Sequence, residues 1–469
     1  MHLHYLLLSC LPTLIQCGPL PTRSGDLLRS LNLTVDQHGA TVFSLLYGSP
    51  LLSFVQFASK TIGGEGTNVL GFNGNLSDAS THDVVRPNVD TIYATATYDL
   101  AATDLVLTVP PMESDRYYSF SFFDPYGDNY VSLGNVDANS PGKYLVTEKA
   151  CCEGYSGCVK SPTTVGTLLV RVEAKFSPAD TADVDAFLSK CSLEAINPRK
   201  ASTPALTLAD FAGLSNSTAI SALQLTARLQ SRASPETELF RAAVPAILEL
   251  AGIRHGSYRQ PAGVNLTQAS ALAEQAITAW TNSPSSYSDF GNGWISMNGS
   301  IAGTFENGTD IVPRALIAAT LYLQNTANNA LYPVLGSTQL DLTDGESYLF
   351  TFSGKPPVQE AGFWSLTMYD VNFYLVPNAE NTWAVGDRSN ITYSDGDLIY
   401  GNGTGSGSFQ VLVQDAGVKP PGNWTANWLP APPGGGPFTV TFRIYAPVAS
   451  LSDGTYVYPV VTKGKAITA

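Results

Sequence analysis

Val84-Val-Arg-Pro-Asn-Val-Asp-Thr-Ile-Tyr-Ala-Thr-Ala-Thr-Tyr-Asp99 runs from a charged, proline-stiffened turn straight into an alternating strand. Ile92, Ala94, Ala96 and Tyr98 fall on one face, and Thr91, Tyr93, Thr95 and Thr97 on the other. Arg86, Asn88 and Asp90 are thereby attached to the end of a rigid element. Two readings fit them. In the structural one, Pro87 sets a dihedral, Asn88 accepts a tight turn, and Arg86 pairs with Asp90. In the functional one, Arg86 and Asn88 hold a ligand oxygen, Asp90 is an acid or base, and Tyr93 closes the pocket.

Working outward, the 469-residue chain is 44% hydrophobic and 10% aromatic, enough for large cores and at least two domains. A formal charge of -14 and a pI of about 4.7 exclude nucleic acid and anionic membrane as partners, because the long-range field repels both. Only 14% of residues are charged, against 41 Gly, 30 Pro and 22 Tyr, a balance typical of turn-rich β proteins.

The apolar runs within Met1–Cys17 are too short to span a bilayer and read as a secretory signal over residues 1–20. No later stretch has roughly 18 unbroken apolar residues, so no stable membrane association is expected. Asn-X-Ser/Thr acceptors at Asn32, Asn75, Asn216, Asn265, Asn298, Asn307, Asn390, Asn402 and Asn423 agree with a secreted, extracellular or secretory-lumen glycoprotein. With Cys10 and Cys17 removed, Cys151, Cys152, Cys158 and Cys191 remain, an even number suited to disulfides. Adjacent cysteines rarely bond each other, so the expectation is one of Cys151 and Cys152 joined to Cys158 and the other to Cys191.

In chain order, residues 21–80 read as a helical segment and loop, with Pro50 as a break or first-turn residue. Strand signals crowd residues 81–176, separated by Pro110-Pro111, Asp124-Pro125-Tyr126-Gly127 and Pro141-Gly142. Residues 177–330 read as a helical connector ending in a long aromatic loop, Ser283 to Asn307, and a helix carrying Arg314 in an apolar run. Residues 331–469 return to β, with Phe363 to Asp370 and Thr439 to Tyr445 alternating strictly. The fold expected is mainly β with α: two jelly-roll-like β-sandwich domains joined by a helical connector.

Specific motifs also carry a resemblance. Arg-Pro-Asn-Val-Asp-Thr-Ile-Tyr (86 to 93), Arg-Tyr-Tyr (116 to 118) with Asp124 and Tyr126, and Gly-Lys-Tyr-Leu-Val (142 to 146) resemble the domain of unknown function 1254. Phe-Trp-Ser-Leu-Thr-Met-Tyr-Asp (363 to 370), Leu-Val-Pro-Asn (375 to 378), Gly-Asp-Arg (386 to 388), Asn-Trp-Leu-Pro-Ala-Pro (427 to 432) and Arg443-Ile-Tyr resemble its C-terminal companion, domain of unknown function 1214. The resemblance implies two jelly-roll-like domains with helices between, and a homo-oligomer; it implies no particular reaction. The cysteine stretch and the acceptors set this chain apart as a secreted, fungal-type member.

Further candidates follow from residue type. Trp364 belongs to the core by preference and to a ligand surface otherwise, whereas Tyr369 and Asp370 sit at a strand end. Arg388 suits an anion, with Asp387 beside it as a simpler partner. Arg314 needs a carboxylate such as Asp90, Asp124 or Asp370 if it is buried. His38, His82 and His255 are too far apart for a zinc set, the cysteine spacing lacks C-x-x-C, and dinucleotide and nucleophile-elbow motifs are missing, so no metal or cofactor is expected. The expected function is a cofactor-independent lyase, isomerase, cyclase or hydrolase of a small organic metabolite. Asp90, Tyr93 and Tyr369 would act chemically, and Arg86, Asn88, Asp124, Arg314, Trp364, Asp370 and Arg388 would bind. The alternative is a non-catalytic small-molecule or carbohydrate-binding glycoprotein, told apart by the shape of its cavity.

Overall fold

The computed structural model describes residues 22–82, 86–149, 153–175, 178–201, 203–235, 237–336, 339–401 and 407–468. The expected signal segment, Asp83, Cys151, Cys152 and Asn402 lie outside them. The described chain is mainly β sheet with helices.

The strand read first forms as Thr91–Asp99, inside a five-stranded antiparallel sheet between Gly71–Asn73 and Val165–Glu173, followed by Tyr118–Phe123 and Asn129–Gly134. A four-stranded sheet holds Gly157–Lys160, Gly142–Thr147, Asp104–Val109 and Ser192–Ile196. Ile92, Ala96, Phe120 and Val170 of the first sheet share one core with Leu105, Leu107 and Val146 of the second, so the two pack face to face. Each large apolar side chain so buried contributes about 1.5–3 kcal/mol. Pro178–Leu188 adds Val184 and Phe187 to that core, and Ser192–Ile196 pairs with Asp104–Val109. The first β unit therefore runs past the expected boundary at 176, because a short helix and one more strand return to it.

The second unit is built the same way. Gly436–Pro447 and Val358–Tyr369 form the middle of an eight-stranded sheet, facing a sheet of Trp428–Ala431, Phe409–Asp415, Glu346–Phe352 and Val460–Lys465. Trp294, Phe352, Trp364, Phe409 and Phe442 stack in the core between them. Trp294 corrects the expected Ser283 to Asn307 loop. Tyr287–Asp289 and Trp294–Met297 are a hairpin of this sheet, turned by Gly291, Asn292 and Gly293, all at positive φ. Their shortness and the Gly- and Asn-rich turn hid the alternation.

The helices form a separate layer. Thr22–Ser30, Gln37–Gly48 and Pro50–Gly64 pack with Thr218–Leu229, Glu238–Leu250, Leu266–Thr281 and Ile311–Thr320 around Leu45, Phe54, Leu223 and Ile247. Pro50 starts its helix at the first turn, where its missing N–H is harmless. Gln37–Gly64 is long and apolar enough to cross a membrane, but 67% of its most apolar window is buried inside the protein. Cys191 stands as a free, half-buried thiol against the Phe187 carbonyl, and burial pushes it up to about 12. The bridge expected at Cys191 is therefore corrected: the residue follows helix Pro178–Leu188 and packs against the first core. Cys158 is disulfide-bonded.

Candidate functional site

Strand alternation has two products in each unit. On Thr91–Asp99 one face fills the sandwich core, while Tyr93 and Thr95 point to the opposite, back face, where Tyr93 pairs in register with Arg171. On Gly436–Pro447, Phe442 and Ile444 enter the second core and Arg443 and Tyr445 take the back face, opposite Ser365 and Phe363. The two back faces meet. The Asn88 Nδ2 donates to the Tyr445 hydroxyl at 2.6 Å, the Tyr369 hydroxyl donates to the Pro87 carbonyl at 2.9 Å, and Tyr117 packs its ring on Phe363 and Tyr445. Arg443 and Tyr445, on the face of the alternating strand opposite Phe442 and Ile444, are buried in this seam.

Where the faces part, they enclose a cavity of about 620 Å³. Tyr93, Thr95, Leu169 and Arg171 supply one wall, and Tyr332, Arg443 and Tyr445 the other. Helix Pro50–Gly64 closes the side with Ser53, Phe57 and Lys60, and the chain after Ile311–Thr320 contributes Tyr322, Leu323 and Gln324. Glu65, Phe72, Asn75 and His82 are exposed and rim the opening, with His82 packed on Tyr374 at 4.5 Å between ring centres.

The inner end is cationic. Arg171 donates to the Asn325 side-chain oxygen at 2.8 Å and the Leu323 carbonyl at 2.7 Å. Arg443 donates through Nη2 to the Arg86 carbonyl at 2.7 Å and the Tyr369 hydroxyl at 2.6 Å, and its Nε has no partner. The Arg86 guanidinium lies 4.3 Å from the Phe373 ring centre, also with an unpartnered Nε. Burial drives the Tyr332 and Tyr445 phenols up, so they stay protonated and offer hydrogen bonds. Glu65 is the only carboxylate among the described lining residues.

The sequence candidates divide accordingly. Arg86 and Tyr93 line the cavity. Asn88 and Tyr369 stand one bond behind it, holding Tyr445 and Arg443. Asp90 is fully buried in an ion cluster between the units: it pairs with Arg388 and accepts from the Ser365 hydroxyl at 2.6 Å. Arg388 also donates to the Ala174 carbonyl at 2.8 Å and lies near Glu173 and Asp387. The expected Arg86–Asp90 pair is replaced by this cross-unit pair. Trp364 is core, bonded to the Tyr400 hydroxyl, and Asp370 accepts the Asn372 and Tyr374 amides of its own turn.

Arg314 pairs with Asp128, at 3.0 Å, and also donates to the Gly308 carbonyl. Asp124 caps the Asp124–Asp128 turn nearby, its carboxyl raised well above the ordinary range by burial and then by Asp128. This pair joins the helices to the first β unit, outside the cavity. Arg171, Tyr332, Arg443, Tyr445 and Gln324 were not singled out as site residues, although an arginine in the middle of an otherwise apolar or hydroxylated strand is the signal that marks two of them. Among the described residues no group of three or more His, Cys, Asp and Glu side chains could hold a metal.

The family model described as protein of unknown function DUF1254 matches residues 67–195, and that described as DUF1214 matches residues 330–449. The crystal structure of the VPA0106 protein from Vibrio parahaemolyticus is similar over 92% of this chain and 100% of its own, at 16% identity and a TM-score of 0.60, a likeness of fold. An uncharacterised protein from Burkholderia cenocepacia is similar over 94% and 97%, at 13% identity and a TM-score of 0.44. No curated protein matches the chain.

Proposed function

We propose that this chain, which belongs to the two-domain DUF1254–DUF1214 family, is a secreted glycoprotein that converts a small organic metabolite in the seam cavity without a cofactor. The observation that carries the reading is the cavity itself: about 620 Å³, walled by both β units and a helix, apolar along Phe57 and Leu169 and polar at its inner end. Neutral phenols of Tyr332 and Tyr445, with Tyr93, donate to a substrate oxygen as negative charge develops on it. His82 at the rim is the group suited to carry a proton in or out. A lyase, isomerase, cyclase or hydrolase of a carbonyl compound fits these parts. On this reading the two sandwiches are jelly rolls whose back faces are given to the site.

Secretion is supported by the positions of the acceptors: Asn32, Asn75, Asn216, Asn265, Asn307, Asn390 and Asn423 are exposed and Asn298 is half-buried. One observation favours a second reading, non-catalytic binding. Asp90 and Glu173, the carboxylates nearest the inner end in sequence, are engaged by Arg388 and Ser365, leaving only Glu65 at the rim.

The test is untargeted metabolite profiling of small-molecule extracts incubated with the purified full chain, with Tyr93→Phe and with the cavity-filling Thr95→Trp. Turnover by the parent, lost in Thr95→Trp at unchanged circular dichroism, is the expected result. A metabolite that is retained but never altered supports the binding reading, and identical profiles with and without protein contradict both.

A further inference from the structure

The cavity concentrates positive charge inside a chain whose formal charge is -14. Arg86, Arg171 and Arg443 reach its inner end, and Arg171 and Arg443 are 5% and 3% exposed. None of the three forms an ion pair with a described carboxylate. Elsewhere in the protein, buried arginines have such partners: Arg116 with Asp180, Arg232 with Asp99, Arg314 with Asp128, and Arg388 with Asp90. The contrast matters because burying an uncompensated cation costs several kcal/mol, and folded proteins otherwise avoid it.

Two of these cations also repel each other. Arg86 and Arg443 share the same corner, with the Arg443 Nη2 on the Arg86 carbonyl and the Nε of each unpartnered. Burial pulls the Arg86 guanidinium below its ordinary value; the Tyr369 phenol opposes this, and the Arg443 charge adds a smaller lowering. The groups that face Arg171 and Arg443 are tyrosines, which bring hydrogen bonds and no negative charge at neutral pH.

We propose that the cavity takes an organic acid, a molecule with an apolar body and a single carboxylate lodged between Arg86 and Arg443. The proposal rests on the cavity being the functional site. A carboxylate accepts charge-assisted hydrogen bonds from guanidinium N–H groups, bidentately where an Nε–Nη edge is free. Arg86 keeps such an edge, whereas the Arg443 Nη2 is taken by the Arg86 carbonyl and the Tyr369 hydroxyl and leaves its Nε as the donor. Phe57, Leu169 and Leu323 give the apolar body its wall. Tyr445, oriented by Asn88, adds a neutral donor.

The experiment is isothermal titration calorimetry of the full chain at pH 7 with 4-phenylbutyrate, with its neutral counterpart 4-phenylbutyramide, and with inorganic phosphate. The acid is expected to bind roughly tenfold or more tightly than the amide, since charge-assisted hydrogen bonds are the strong ones. Arg86→Gln is expected to weaken the acid far more than the amide and so to lose most of that tenfold preference. Its own melting temperature should not fall, because the Arg86 guanidinium makes no hydrogen bond in the described structure. Arg443→Lys, which keeps the charge, is expected to retain part of the preference.

Equal binding of acid and amide overturns the proposal and leaves the cavity reading standing. Acid binding indifferent to Arg86→Gln overturns it too, as does phosphate competing as well as the acid. Failure of both phenyl probes at millimolar concentration overturns it as well, and the turnover experiment then decides the cavity reading separately.

Discussion

Asp90 shows how one residue can satisfy a motif without touching the site. Its carboxylate pairs with Arg388 and accepts from Ser365, and its backbone carbonyl accepts the Ala174 amide, so it joins the two β units. Asp90→Asn leaves the Arg388 charge buried and should cost about 3–5 kcal/mol in urea unfolding. The surviving folded protein should bind cavity ligands as the parent does; lost binding at intact fold would return Asp90 to the site. Asp387, beside the same cluster, is pushed from its ordinary 3.8 to about 8, chiefly by burial. Its folded form holds a proton that the unfolded chain releases. The stabilisation from this proton is thus complete below about pH 4 and is lost as pH rises toward 8. Asp387→Asn should flatten the fall in stability across that window, measured by urea midpoints at several pH values. An unchanged slope would mean that Asp387 is ionised in the fold.

Elements were legible in proportion to their periodicity. Thr91–Asp99, Val358–Tyr369 and Gly436–Pro447 stand where alternation placed them, because one face of each is strongly apolar. Alternation gives the two faces of a strand but not what covers the second one. The burial of Arg443 and Tyr445 against the other unit was therefore not legible, and Arg171 went unremarked. Tyr287–Asp289 and Trp294–Met297 were too short to show a period. Contacts between helices were equally invisible in sequence. A Cβ on Gly48 would sit 1.9 Å from the Thr226 Oγ1, so Gln37–Gly48 crosses Thr218–Leu229 in close contact. Gly48→Ala should destabilise by about 1–3 kcal/mol, and Thr226→Ala in the same chain should recover part of it. Strictly additive losses in the double-mutant cycle would show that the two helices do not meet there.

At the scale of the whole molecule, the two β units and the helical layer are joined through buried pairs, Asp90 with Arg388 and Asp128 with Arg314, and by the Tyr117, Phe363 and Tyr445 rings. One cooperative unfolding transition is the expected consequence. All six tryptophans lie at Trp280 or beyond, so their fluorescence reports the C-terminal part while far-ultraviolet circular dichroism reports both β units. The two probes should trace coincident urea curves; separate midpoints would mean that the seam is not a shared core. The family motifs 86 to 93 and 363 to 370 thus assemble the seam, and the cavity lies beside them with Arg86, Pro87 and Tyr93 as the residues common to both. That the cavity binds a carboxylate is tested most directly by a crystal structure of the full chain with 4-iodobenzoate. The account predicts an anomalous iodine peak inside the cavity, with the carboxylate between Arg86 and Arg443. An empty cavity, or iodine bound only on the outer surface, would contradict it.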